Sequence, residues 1–315
     1  MKHEVDLHVH SNASDDGDIA PEEIIEMARE AGITTLAIAD HNTCVGSIKA
    51  QKYIAENGIE DVILVPAIEM DCCYGDVNLH ILGYGIDMSM AEFAEFGHYM
   101  VSIERVASVE MQSKLEAALG VEFDKKELER LAAGKTITGE VMGEALLENE
   151  RYNDIEELKP YREGGSRADN PYVNFYWDYC AQGKVAGVPV EMISIDDAIA
   201  MINKAGGIAV LAHPGNNIHE DEQLLQEIID KGVVGIEAIS SYHNLEQLEF
   251  YQRKAQELEL IVTCGSDFHG KTKPSIKMGE FDYKLDEGNL LSEFRKAIGA
   301  KPAPKIISKK VKTMI

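Results

Sequence analysis

The sequence predicts an α/β fold in which helices cover a parallel β-sheet. Apolar runs alternate with amphipathic stretches along most of the chain, and some of these runs, such as residues 208–212, are apolar throughout. Alternating strand and helix units form parallel sheets, and a fully apolar strand suits a sheet that is buried on both faces. Seven strands are expected, over residues 5–9, 35–39, 62–68, 78–83, 207–212, 233–239 and 260–264.

The helices between these strands carry recognisable start and stop residues. Pro21 is followed by two glutamates, and both features favour the first turn of a helix, which Gly32 then ends. Later, Ser194 is the predicted N-cap of a second helix that stops at Gly206. These signals support the alternation of strands and helices.

Residues 88–190 interrupt the alternation, because this stretch is helical and highly charged before it becomes aromatic at residues 172–177. We expect a barrel formed by residues 1–87 and 191–300, an inserted, mostly helical cap or substrate subdomain at 88–190, and a C-terminal tail at 301–315. The aromatic stretch is either the core of that subdomain or a wall of a substrate site.

The composition is that of an ordinary globular protein, with 315 residues of which 45% are hydrophobic and 27% charged. No run approaches the roughly 20 apolar residues of a membrane span. The first strand begins too early for a signal peptide, and the five cysteines lack C-x-x-C spacing. We therefore expect a cytoplasmic protein with free thiols.

The formal net charge of −25 argues against binding to long nucleic acids, which requires clustered lysine and arginine. An anionic substrate would have to be held locally, and bound cations can do this. The sequence does not indicate an oligomeric state.

Histidines and carboxylates recur where the predicted strands end. His8 and His10 are two residues apart on the first strand, so both imidazoles point to one face and can reach one cation. The same residue types follow later runs, at His41, Glu69, His80, His213, Asp267 and His269, and the loop after the first strand adds Asp15 and Asp16. Because strand ends converge on one face of a parallel barrel, this pattern predicts a metal site.

These residues lie in motifs by which the chain resembles the PHP family, named for the polymerase and histidinol phosphatase domain. The motifs are Asp6-Leu7-His8-Val9-His10-Ser11, Ala39-Asp40-His41-Asn42-Thr43, Glu69, His80, Ala212-His213-Pro214-Gly215 and Gly265-Ser266-Asp267-Phe268-His269. They occur in the family's order over residues 1 to about 90 and 190 to 270. The resemblance implies a distorted, TIM-like (β/α)7 barrel that holds two or three divalent metals.

The resemblance also implies a role for each ligand. The first metal would be held by His8, His10, Glu69 and Asp267, with Glu69 bridging to a second metal held by His80 and His213. Asp15, His41 and His269 would hold the third. Asp15 is chosen by its distance from His10, whereas counting back from Gly17 selects Asp16. A carboxylate there favours manganese or iron, with zinc or magnesium as alternatives.

The resemblance is strongest to the branch of stand-alone phosphoesterases that includes nucleoside 3′,5′-bisphosphate phosphatases and short-RNA exonucleases. It implies hydrolysis of a nucleotide or short oligonucleotide by attack of a metal-activated hydroxide on phosphorus. A histidinol-phosphate-type phosphatase, a metal-dependent amidohydrolase and a non-catalytic PHP binding domain are the alternatives, in that order.

Three further side chains acquire expected roles from the resemblance. Lys184 has a counterpart that lies near the substrate, so it is a candidate phosphate contact, with a solvated surface lysine as the alternative. His243 is a candidate catalytic side chain, with a surface histidine as the alternative. Asp40 precedes a ligand and is expected to orient the catalytic centre.

The chain also departs from the family pattern where relatives bind phosphate. Residues 137–140 lack the Arg and His found there in relatives, and Asn216 stands where an arginine is expected. Asn216 remains a candidate substrate contact. Arg167 is a candidate replacement clamp, because a guanidinium can bind phosphate through two N–H groups, although a plain surface arginine fits equally well.

Overall fold

The computed structural model describes residues 2–281, 283 and 286–299, so the expected C-terminal tail at 301–315 lies outside the described residues. The strands are β1 Val5–Val9, β2 Thr35–Ile38, β3 Ile63–Leu64, β4 Ala67–Tyr74, β5 Val77–Tyr84, β6 Ile193–Ser194, β7 Ile208–Leu211, β8 Gly235–Ser240 and β9 Ile261–Gly265. The helices are α1 Pro21–Ala31, α2 Val45–Asn57, α3 Ala91–Leu119, α4 Lys125–Ala132, α5 Gly139–Leu147, α6 Pro171–Phe175, α7 Ile195–Lys204, α8 Pro214–Asn217, α9 Glu222–Ile229, α10 Leu245–Glu257 and α11 Glu287–Ala297.

The predicted α/β class is confirmed, but the sheet is mixed rather than parallel throughout. A three-stranded parallel sheet has the order β1-β2-β3, and a six-stranded sheet has the order β6-β4-β5-β7-β8-β9. Strand β5 runs antiparallel to both β4 and β7. The cause is the two-residue turn between β4 and β5, in which Gly75 has a φ of +58°, because a turn this short joins only antiparallel strands.

The predicted strand at residues 62–68 forms parts of two strands, β3 and β4. Pro66 lies between them, and a proline has no N–H to contribute to a ladder. The hairpin therefore carries Glu69 near the start of β4 and His80 within β5, instead of placing both at strand ends.

Two short connections join the sheets near the predicted ligands. Val9 forms a parallel bridge with Phe268, and His41 forms one with Glu69. Around the first bridge, the Asp267 N–H donates to the His8 carbonyl at 2.8 Å. These connections bring the ends of β1, β2 and β9 and the start of β4 to one place.

The helix signals match the structure closely. Helix α1 begins at Pro21 and ends before Gly32, whose φ of +84° is the left-handed conformation of a helix stop. The Ser194 hydroxyl accepts from the Asp197 N–H to cap α7, which ends at Lys204, two residues before the expected Gly206.

Residues 88–190 contain the helices α3 to α6, two short 3-10 helices and a π-helical turn, and none of the described strands. Their apolar side chains form a buried cluster of their own, which includes Leu115, Met142 and Phe175. Phe175, from the aromatic stretch, is fully buried and meets Tyr161 edge-on with ring centroids 5.6 Å apart.

All five cysteines are free thiols, and only Cys73 is partly exposed. Across the part of the chain that is described, we find no helix with both the length and the apolar surface that crossing a bilayer demands.

Gly265, at the end of β9, lies directly against His8 and Glu237. A methyl group at Gly265 would collide with the His8 Cβ and a Glu237 carboxylate oxygen, so we expect Gly265→Ala to reduce the free energy of unfolding by about 1–3 kcal/mol. Thermal and urea unfolding would measure this. Gly288→Ala in α11 is the control, because its methyl would meet nothing closer than 3.7 Å, and it should leave stability unchanged or raise it by up to about 1 kcal/mol, since alanine favours a helix more than glycine does. Equal effects of the two changes would contradict the predicted collision.

Candidate metal centre

The centre is organised around the carboxylate of Glu69, which is completely buried. Its Oε2 atom lies 3.0 Å from His8 Nε2 and 3.1 Å from His10 Nε2. Its Oε1 atom lies 3.0 Å from His80 Nδ1 and 3.1 Å from His213 Nε2. Glu69 therefore faces two pairs of imidazoles, one with each oxygen, as a carboxylate shared between two cations would.

Two further carboxylates complete overlapping groups of ligand atoms. Asp267 Oδ1 lies 3.1 Å from His10 Nε2, which places it with His8, His10 and Glu69. Asp16 Oδ2 lies 3.0 Å from His269 Nε2 and 3.8 Å from His41 Nε2. The atoms that can bind one ion lie within 4.8 Å of one another in three groups: His8, His10, Glu69 and Asp267; His10, Asp16, His41 and His269; and His41, Glu69 and His80.

The loop carboxylate in these groups is Asp16, the alternative that the sequence left open beside Asp15. The Asp15 side chain accepts from the Thr136 N–H instead, at 3.3 Å. The loop is held in this orientation from both sides, since Lys135 donates to the Ser14 and Gly17 carbonyls and Thr272 donates to the Asp16 carbonyl. Eight of the nine predicted ligands lie together at the centre, and Asp15 is the exception.

Four histidines share one arrangement, in which Nδ1 contacts an orienting group and Nε2 faces the centre. The Nδ1 partners lie 2.8 to 3.1 Å away and are Glu237 for His8, Ser14 for His10, Asn217 for His213 and the Asp267 carbonyl for His269. Histidines that bind metals are commonly oriented through their second nitrogen in this way. The arrangement would leave each Nε2 atom available to hold a cation.

Two carboxylates at the centre were not predicted. Glu237, fully buried in β8, accepts from His8 Nδ1 and from the His213 N–H. Asp71, in β4, lies 2.9 Å from His41 Nδ1 and accepts from the Asn42 amide. The sequence signal that could have found them is an acidic residue inside a predicted apolar strand. Such a carboxylate would be buried, and a buried carboxylate requires charged or hydrogen-bonding partners.

Burial and mutual charge strongly shift the pKa values of these groups. Burial lowers the pKa of His8, but the carboxylates of Glu69, Glu237 and Asp267 outweigh it and raise the pKa. Burial raises the pKa of Glu69, but His8, His41 and His80 outweigh it and lower the pKa. Without metal, His8 and Glu69 therefore hold each other in the charged form, whereas burial lowers the pKa of His269 to about 4.

The residues present fit divalent cations. Asp16 Oδ1 is buried without a hydrogen-bond partner. Asp267 Oδ1 and His269 Nε2 lie 3.1 and 3.0 Å from another ligand atom but form no hydrogen bond with it, and such buried atoms are costly unless something binds them. The donor set mixes imidazole nitrogen with carboxylate oxygen, which suits manganese, iron or zinc. His213 and Asp267 adopt positive φ values of 24° and 55°, which are strained conformations of the kind that collect at functional sites.

Asp40 and His243 lie outside the ligand groups. The Asp40 carboxylate accepts from the Ser11 N–H at 2.6 Å and from its hydroxyl at 2.8 Å, so it orders the chain just after His10. His243 places Nδ1 2.9 Å from the Ala238 carbonyl, and its Nε2 accepts from the Gly215 N–H at 2.9 Å. Both ring nitrogens of His243 thus contact backbone groups, and its catalytic role stays a prediction.

The candidate phosphate contacts are also placed differently from expectation. Arg167 binds Asp178 through Nε at 3.0 Å and through a second guanidinium nitrogen at 3.1 Å. Both donors of this two-point contact are therefore engaged by a residue within 88–190. Lys184 is exposed on a loop, with none of its described contacts at the centre. Asn216 lies beside the predicted ligand His213, because its N–H donates to the His213 carbonyl. Its side-chain Nδ2 atom is buried without a hydrogen-bond partner.

Residues 88–190 contribute acidic side chains beside the centre. Burial, followed by the charges of Asp71 and Asp15, raises the pKa of Glu104 to about 8. Burial, followed by Asp16, raises the pKa of Glu140 to about 7. Glu140 also lines a cavity of about 350 Å³ between the Asp15–Asp18 loop and helices α4 and α5, and this cavity reaches Asp16.

Comparison with known proteins places the chain among metal-dependent phosphoesterases in sequence and fold. Residues 6–158 match the model of the PHP domain. A 5′-3′ exoribonuclease from Haemophilus influenzae is 29% identical over 272 residues, covering 85% of this chain and 91% of that protein. A 3′,5′-nucleoside bisphosphate phosphatase from Chromobacterium violaceum is 28% identical over 271 residues, covering 84% and 87%.

A solved structure from Bifidobacterium adolescentis, whose assignment as a metal-dependent phosphoesterase is itself an inference, superimposes with a TM-score of 0.73 at 25% identity. The match covers 94% of this chain and 96% of the other. The fold and the clustered ligands are thus those of a metal-binding hydrolase domain. Residues 6–158 of the chain thus form a region that matches the PHP domain.

The adjacent residues Asp15 and Asp16 allow a direct test of the ligand groups. We expect Asp16→Asn to lower the manganese content by about one ion per chain, or to weaken its binding at least about tenfold, because it removes a carboxylate ligand. Asp15→Asn should leave the metal content unchanged. Elemental analysis after dialysis against manganese would measure both. Loss of metal from the Asp15 variant alone would restore the original choice of ligand.

Proposed function

We propose that this protein, a phosphoester hydrolase, uses two or three divalent cations to cleave a phosphate ester of a nucleotide or a short oligonucleotide. The observation that carries the proposal is the shared Glu69 carboxylate, with His8 and His10 at one oxygen and His80 and His213 at the other. The exoribonuclease and bisphosphate phosphatase among the relatives support the substrate class.

Bound cations would supply an activated water and neutralise the oxygens of the phosphoryl group. The chain's residues would do the positioning. Glu237 and Ser14 hold the rings of His8 and His10, while Asp40 orders the backbone at Ser11, so the ligands need little rearrangement when a cation binds. Manganese and iron are the cations we favour for this donor set, with zinc or magnesium as alternatives.

We propose further that the two sheets form a distorted barrel, since the bridges Val9–Phe268 and His41–Glu69 connect them on two sides. Residues 88–190 would form a cap over its open end. Their separate buried cluster supports this division, as does the cavity between the cap and the Asp15–Asp18 loop. We place the protein in the cytoplasm, because its five cysteines are free thiols.

A histidinol-phosphate-type substrate is the second candidate, and the acidic lining of the cavity favours it. Asp18, Glu140 and Glu144 line the cavity. Of its two lysines, Lys271 is paired with Glu144, and Lys135 donates to the Ser14 and Gly17 carbonyls. Such a wall attracts a leaving group that carries a positive charge and repels one that carries a second phosphate. The two candidates therefore differ in the charge of the leaving group.

Removal of the metals should abolish hydrolysis. We expect protein treated with EDTA to lose more than about 99% of its activity on p-nitrophenyl phosphate, and manganese to restore it, because the buried ligands alone offer no nucleophile. A panel of nucleoside monophosphates, 3′,5′-bisphosphates, short RNA and histidinol phosphate would then rank kcat/KM. Full activity in the metal-free protein would rule out this mechanism.

Arg167→Ala distinguishes two roles of Arg167, a phosphate contact and an ion pair inside residues 88–190. Because Asp178 already binds the Arg167 guanidinium at two atoms, we expect kcat/KM on the best substrate to stay within about twofold of the wild type. Steady-state kinetics would measure this. A tenfold rise in KM at unchanged stability would reinstate Arg167 as a substrate contact.

A further inference from the structure

Lys273 is a buried cation at the edge of the metal centre that none of the expected ligand or substrate roles includes. Its residue is only 5% exposed, and its Nζ atom contacts Asp267 Oδ2 closely. The other oxygen of the same carboxylate, Oδ1, faces His8 and His10. Asp267 thus divides its two oxygens between the proposed metal position and Lys273.

Tyr242 forms the second side of this position. The Lys273 Nζ lies 4.8 Å from the centroid of the Tyr242 ring, which is a cation–π contact. The same ring meets His213 edge-on, with centroids 5.3 Å apart. Lys273 is therefore fixed between Asp267 and a side chain that also contacts the Glu69 group.

An ammonium group has three N–H donors. The Asp267 carboxylate accepts from one and the Tyr242 side chain interacts with a second, which leaves one for a ligand. A lysine clamped this way beside a metal centre is a point charge available to an anionic oxygen. The other cations described near the substrate region are occupied elsewhere. Lys135 donates to two backbone carbonyls, Lys271 pairs with Glu144, and Arg167 pairs with Asp178.

We propose that Lys273, held by Asp267 and Tyr242, binds an oxygen of the phosphoryl group beside the metals. This role of Lys273 rests on the proposed phosphoesterase function. Lys273 would replace part of the phosphate contacts that arginines make in relatives and that this chain lacks. Lys273 lies in the segment that follows the last ligand, His269, so the loop after β9 supplies both a ligand and a cation.

The competing explanation is that Lys273 only neutralises Asp267, and Lys273→Gln distinguishes the two. Glutamine keeps an N–H donor for Asp267 but removes the positive charge. Lys231→Met is a matched control, because Lys231 also pairs with an aspartate, Asp196, at 2.9 Å and lies over a tyrosine ring, Tyr74, but does so at the surface.

The experiment is calorimetric titration of the manganese-loaded, full-length protein with inorganic phosphate, after elemental analysis of each variant. We expect Lys273→Gln to retain its metals and to bind phosphate at least about tenfold more weakly, equivalent to about 1.4 kcal/mol. Lys273→Arg, which keeps the charge, should lie within about threefold of the wild type, and Lys231→Met should match the wild type.

Unchanged phosphate affinity in a metal-replete Lys273→Gln protein would overturn the proposal. So would a loss of metal whose correction with excess manganese restores wild-type phosphate affinity, because Lys273 would then act only through Asp267. Phosphate binding is measured without turnover. A wild-type protein that binds phosphate through Lys273 but hydrolyses no phosphate ester would instead contradict the proposed function.

Discussion

The structure depends on a full negative charge on Glu69 at a position that water does not reach. A buried carboxylate is stable only when it is paired and hydrogen-bonded, and Glu69 meets this condition with histidines from β1, β5 and the loops after β2 and β7. Strands β1, β2 and β7 must therefore end, and β5 must pass, at the same place. The mixed sheet, the β4–β5 hairpin and the bridges between the sheets all serve this convergence.

This requirement also links metal binding to protons. The carboxylates raise the pKa of His8, and the imidazoles lower the pKa of Glu69, so each partner holds the other in its charged form when no cation is bound. A cation needs neutral imidazoles, and its binding must therefore release protons from the centre. Glu237 and Ser14 keep the rings in place during that exchange, because they hold the nitrogen that the cation does not use.

The sequence predicted the parts of the centre that depend on residue type and strand position. His8 and His10 follow from the alternation of side chains along a strand, and the other histidines from their positions beside apolar runs. Glu237 was missed because its strand was assigned from apolar content, and its role depends on which residue of β8 faces His8. The choice between Asp15 and Asp16 depends on the direction of a loop, which Lys135 and Thr272 determine from distant parts of the chain.

The same reasoning explains why the phosphate contacts were the weakest predictions. Arg167 was chosen for its chemistry, but Asp178, eleven residues further on, occupies its guanidinium. A lysine after the last ligand carried no comparable signal, because lysines are common on surfaces and only the fold buries this one.

Residues 88–190 place further carboxyl groups beside the candidate metal centre. Glu104 and Glu140 have pKa values raised to about 8 and about 7, so near neutral pH both carboxyl groups hold protons for much of the time. A protonated carboxyl can donate to a hydroxyl or a ring nitrogen, whereas its ionised form repels a phosphate. With Arg167 engaged in an ion pair, the proposed cap would suit one phosphate at the proposed metals and an uncharged or cationic group beneath α5. Selectivity would then arise as much from what the cap repels as from what the metals attract.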